Sequence, residues 1–128
     1  MKDILESILL EDLNDIGIFR LTLNDIGNKN ALSESMMHKL IEAISKASKD
    51  NSVKLIVIAS TGNVFCSGHN LKEINEAQKA DDKGESYYLD LFKICSELMQ
   101  SIINCPKPVI AEVNGIATAA GCQLVASC

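Results

Sequence analysis

The chain has 128 residues, 47% of them hydrophobic, and a formal net charge of −5 with no basic run. That length allows one small domain with its own core, and the acidic balance argues against a nucleic-acid partner. Every apolar run falls well short of the ~18 residues a membrane span needs, and Met1-Lys2-Asp3-Ile4-Leu5-Glu6 carries acids where a secretory signal carries bases.

Ser7-Ile8-Leu9-Leu10 is a candidate edge strand, separated by Asn14-Asp15 from Gly17–Leu23. There Phe19, Leu21 and Leu23 alternate with Ile18, Arg20 and Thr22, the period-two pattern of a half-buried strand paired back by a hairpin. After the polar loop 24–30, Ser33 is placed to cap a helix running to about Lys49. Met37, Leu40, Ile41, Ile44 and Ala47 share one face of it, so Met37 reads as core and His38 as a solvated side chain. Leu55-Ile56-Val57-Ile58-Ala59 reads as a buried strand. A short helical pattern follows at Leu71, Ile74 and Ala77, then a polar segment at about 79–86, expected as a mobile loop. A long helix spans about Tyr87–Asn104, its apolar stripe formed by Tyr88, Leu91, Phe92, Cys95, Leu98, Met99 and Ile102. Cys105-Pro106-Lys107-Pro108 stops it, and a strand over Pro108–Val113, a turn at Asn114-Gly115 and a final helix complete the chain. The alternation of strands and helices argues an α/β fold.

Five cysteines (Cys66, Cys95, Cys105, Cys122 and Cys128) are odd in number and lack Cys-x-x-Cys spacing. They read as buried, reduced thiols of a cytoplasmic protein, with no metal site.

Two stretches carry the chemistry. Val64–Ile74 passes from a strand through a turn at Gly68 into a helix start, and 108–126 does the same through small residues at Ala119-Ala120-Gly121. A helix start presents unpaired N–H groups with partial positive charge. Two such junctions aimed at one point would stabilise negative charge developing on a carbonyl oxygen.

Phe65-Cys66-Ser67-Gly68-His69-Asn70-Leu71-Lys72 resembles the F-[SC]-[AS]-G-x-D-[LI]-K segment of the crotonase family, the enoyl-CoA hydratases and isomerases. Lys107–Gly115 followed by Ala119-Ala120-Gly121-Cys122-Gln123-Leu124 resembles its K-P-V-I-A-x-V-N-G-x-x-x-G-G-G-x-E-L segment. The resemblance implies a spiral of β-β-α units, with residues 1–128 forming the N-terminal part of one such domain. It implies an acyl-CoA ligand, with coenzyme A as part of the substrate and no separate cofactor, and a homo-oligomer (trimer or hexamer) for the full-length protein. The oxyanion donors it implies are the backbone N–H groups of His69 and Ala120, and the alanine at 120, where glycine is common, is expected to reshape the hole slightly. Asn30, Ala31 and Leu32 are expected against the pantetheine and phosphate end, without the arginine-proline often seen upstream. Ser67, Gly68, His69, Asn70, Leu71, Lys72 and Ala120 complete the expected substrate contacts, with Asn70 capping the next helix.

Position 123 departs from a hydratase, which has a glutamate there. The amide of Gln123 orients water but cannot take its proton. Hydratase or isomerase action therefore stands beside an alternative, a catalytically weak acyl-CoA-binding or regulatory protein, and the 128-residue chain alone is expected to be weak or inactive. The imidazole of His69 is read as pocket lining, Glu112 as a variable strand residue, and Cys122 as packing.

Overall fold

The computed structural model describes residues 7–128; the reading of Met1–Glu6 lies outside them. Three β-β-α units follow one another. The first is β1 (Leu9–Leu13), β2 (Ile18–Leu23) and α1 (Glu34–Lys49). The second is β3 (Leu55–Ser60), β4 (Val64–Cys66), α2 (Leu71–Ala77) and α3 (Glu85–Ile103). The third is β5 (Val109–Ala111), β6 (Ile116–Ala117) and α4 (Ala120–Ser127). This is the expected mixed α/β spiral.

The larger sheet has the order β1-β2-β3-β5. β1 runs antiparallel to β2 (Leu9 opposite Leu23), while β2–β3 and β3–β5 are parallel. The parallel pairs are joined by helical crossovers, as parallel pairing requires. β4 and β6 form a separate two-stranded parallel sheet, with Val64 opposite Ile116 and Cys66 opposite Ala117.

Helix α1 starts where Ser33 Oγ accepts the Met36 N–H at 3.1 Å. It buries Met36, Met37, Leu40, Ala43, Ile44 and Ala47. Opposite it, α3 buries Leu91, Cys95, Leu98, Met99 and Ile102. These faces meet Leu21, Leu23, Ile56, Ile58 and Phe65 in one core. Lys107 Nζ donates to the Ala47 and Asp50 carbonyls and closes the C-terminal end of α1.

Several expectations are corrected. The first strand is Leu9–Leu13 rather than 7–10, because its pairing with β2 continues to Leu13 opposite Phe19. The strand expected over 108–113 is paired only at Val109–Ala111. The expected loop at 79–86 is a run of hydrogen-bonded turns to Gly84, and α3 begins at Glu85, where Asp82 accepts the N–H groups of Gly84 and Ser86. Only Cys66 and Cys95 are buried; Cys105 is half-buried, and Cys122 and Cys128 are exposed because α4 packs through Ala120, Gly121 and Leu124. Phe92 is 62% exposed, since the face of α3 it occupies borders a groove instead of the core. No helix of the described residues is long and apolar enough to cross a membrane.

Candidate active site

β4 leads through Ser67-Gly68-His69 into α2, whose N-cap is Asn70: its Oδ1 accepts the N–H groups of Lys72 (3.0 Å) and Glu73 (3.4 Å). β6 leads through Thr118-Ala119 into α4. The β4–β6 pairing places these junctions side by side, and the Thr118 N–H donates to the Cys66 carbonyl at 3.1 Å. At Gly121 a Cβ would stand 2.2 Å from the Cys66 carbonyl oxygen, so only glycine lets α4 approach so closely.

Gly68 also packs against the second junction. Its φ is +93°, and a Cβ there would lie 2.9 Å from Ala119 Cβ and 3.1 Å from Ala120 N. Neither His69 N–H nor Ala120 N–H donates a hydrogen bond within the described residues. Two donors without a partner among the described residues therefore lie at adjoining helix starts, where the helix dipole adds positive potential.

The conformational cost falls on Ala119 rather than on Ala120. Ala119 adopts φ 51°, ψ −128°, a region that favours glycine, whereas Ala120 is the first residue of α4. Ala119→Gly is expected to stabilise the fold by about 1 kcal/mol, the relief of strain exceeding the added chain entropy. A lower midpoint in urea would contradict that account.

Residues 29–32 run beside this junction: Leu32 N–H donates to the Gly68 carbonyl (2.7 Å) and Ser67 N–H to the Lys29 carbonyl (3.3 Å). Asn30 holds them. It is 1% exposed, its Nδ2 donates to the Thr61 and Val64 carbonyls (both 2.9 Å), and its Oδ1 accepts the Asp25 N–H (2.8 Å). The Asn30 side chain is thus committed to the scaffold, and Leu32 is fully buried. Ala31, Ser67, His69, Asn70, Leu71 and Lys72 instead line a cavity of about 280 Å³, together with Gly27, Asn28 and Lys29. Lys72 Nζ donates to Asn28 Oδ1 at 3.1 Å.

A second cavity, about 370 Å³, lies between α3 and α4 and is lined by His69, Ala120 and Gln123 with Phe92, Cys95, Ser96, Met99, Gln100, Ile103 and Ser127. His69 lines both cavities. Its ring stands edge-on to Phe92, with centroids 6.2 Å apart at 74°. Burial pushes its imidazole below the usual pKa, opposed by the nearby Leu32 carbonyl. A larger cavity of about 450 Å³, between β1 and α1, is lined by Lys39, Glu42 and Lys46 and by none of the expected site residues. Glu112 pairs with Arg20 at 3.0 Å and lines neither site cavity.

Asn28, Lys29 and the groove face of α3 are missing from the sequence reading. The signal for that face was present: exposed Leu89, Phe92 and Ile103 extend the apolar surface of α3 beyond what one core-facing stripe needs.

The sequence model of the enoyl-CoA hydratase/isomerase family matches residues 14–128. Over 112 residues the chain is 47% identical to enoyl-CoA hydratase domain-containing protein 3, mitochondrial, of Xenopus laevis, covering 88% of this chain and 36% of that protein. A solved enoyl-CoA hydratase of Mycobacterium smegmatis superposes with a TM-score of 0.87 at 47% identity, covering 96% of this chain and 46% of that one. The solved human enoyl coenzyme A hydratase domain-containing protein 3 gives 0.85 at 41% identity, covering 95% and 46%. The chain thus spans about a third of the length of the curated relatives it matches. The frog relative is described as mitochondrial, whereas the composition led to a cytoplasmic expectation.

Proposed function

Because the chain belongs to the enoyl-CoA hydratase/isomerase family, we propose that it binds an acyl-CoA thioester and polarises its carbonyl between the backbone N–H groups of His69 and Ala120. The observation that carries this is the pair of unspent donors brought together where Gly68 meets Ala120. A thioester oxygen between them receives two hydrogen bonds, which strengthen as the oxygen gains charge on the way to an enolate. The acyl group lies in the groove between α3 and α4, and the coenzyme A arm runs along Ala31, Ser67, Asn70 and Leu71, near the cations of Lys29 and Lys72. Hydration of a 2-enoyl thioester or migration of its double bond follows from such polarisation. Trimers or pairs of trimers are the assembly we propose for the full-length protein.

The test is spectroscopic. A bound dienoyl-CoA is expected to show a red-shifted absorption, because the donors pull electron density toward the carbonyl oxygen. Binding without any shift would remove this reading.

A second reading, an acyl-CoA-binding protein of little catalytic power, is favoured by Gln123. It lines the groove beside Ala120, where a neutral amide cannot accept a proton. Gln123→Glu separates the two. A rise in crotonyl-CoA hydration of about tenfold or more means that the wild-type groove lacked an effective base and supports the weak binder, since a positioned base contributes at least that much. An unchanged rate from an already active wild type supports the catalytic reading.

A further inference from the structure

Among the described residues, no aspartate or glutamate lines either cavity of the site. The groove nevertheless holds a base. His69 Nδ1 is enclosed and has no hydrogen-bond partner among the described residues, which leaves Nε2 as the nitrogen that can address the groove. The Leu32 carbonyl lies near the ring and opposes the effect of burial on it, and in this reading the neutral ring presents its lone pair at Nε2. We propose, resting on the two-donor reading above, that the His69 imidazole is the proton-transferring group of this groove, in place of the carboxylate missing at Gln123.

The surroundings keep His69 neutral near pH 7. Burial lowers its pKa, Lys29 and Lys72 are the charged side chains lining the cavity on its other side, and from α3 the groove receives the Cys95 thiol, itself pushed up by burial. The thiol therefore stays protonated and does not compete as a base.

In hydration, Nε2 takes one proton from a water oriented by the Gln123 amide as the water oxygen bonds to Cβ. The π pair moves to form a Cα–C double bond, and the thioester oxygen takes the charge between the two N–H groups. The imidazolium then returns its proton to Cα, which restores the carbonyl and the neutral ring. One water is added across the double bond, and nothing is oxidised or reduced.

The protein at its natural length is assayed for crotonyl-CoA hydration over about pH 5–8, wild type beside His69→Gln, with the dienoyl-CoA red shift as a separate readout. The wild-type kcat is expected to fall on the acid side, with a midpoint below the ordinary histidine value. His69→Gln is expected to lower kcat about 100-fold and to flatten that limb, leaving the red shift in place. Gln123→Glu added to His69→Gln is expected to restore turnover. A wild-type profile without an acid limb overturns the assignment, and needs no variant to do so. A retained red shift with kcat within about threefold of wild type in His69→Gln overturns His69 alone. A wild type without a red shift removes the two-donor reading, and this assignment with it.

Discussion

Gly68→Ala is expected to abolish the red shift of a bound dienoyl-CoA and to lower kcat/KM by about a thousandfold, while the protein stays folded. Misplacing a single oxyanion donor costs about 3–4 kcal/mol in comparable sites. Here one Cβ acts on both donors. The φ of +93° disfavours any side chain, and the added carbon would sit 2.9 Å from Ala119 Cβ and 3.1 Å from the Ala120 nitrogen. The two junctions must then separate, and a hole that depends on their proximity opens. Gly27→Ala is the control for stability alone, since a Cβ there meets nothing within 4 Å but Gly27 lines the cavity given to the coenzyme A arm. Activity within tenfold of wild type in Gly68→Ala would show that the contact between the junctions does not set the alignment.

Phe65→Ala is expected to cost about 4 kcal/mol of stability, the usual loss for removing a buried aromatic ring. Phe65 is fully buried on β4 within the main core. Against a total of about 5–15 kcal/mol for a typical domain, that loss brings the chain close to unfolding at room temperature. Phe65→Leu, which keeps most of the volume, should cost only about 1 kcal/mol. Denaturant midpoints measure both, and a loss below about 1.5 kcal/mol for the alanine variant would mean that the site can collapse around the gap.

Long, regular patterns were legible in the sequence. The Met37-Leu40-Ile44-Ala47 face of α1 and the apolar run of β3 follow from periodicity, which many residues report together. The Asn70 cap follows from one side chain acting on its own neighbours. What escaped depends on distant partners. β4 and β6 have three and two residues, too few to show alternation. Asn30 looks like a ligand-facing polar residue until its amide is seen reaching carbonyls more than thirty positions away. Phe92 has the spacing of a core residue, and nothing local tells a core from a cavity. Ala119 conceals its left-handed backbone because alanine spells no warning.

The small sheet has a further meaning for when the site exists. β4 and β6 meet through two paired positions, and Ile116 on β6 is 63% exposed. Only short links, 61–63 and 112–115, tie these two strands to β3 and β5, so what holds them together is the ladder itself and the contacts around it. The main sheet and its helices do not rely on that ladder, since β3 pairs with β5 independently. Separation of β6 from β4 is expected to lie lower in free energy than loss of the main sheet, because the ladder has only two paired positions. Each such opening would dismantle the donor pair while the main sheet stays paired, so the red shift of a bound dienoyl-CoA is expected to fade at lower urea than the loss of helix.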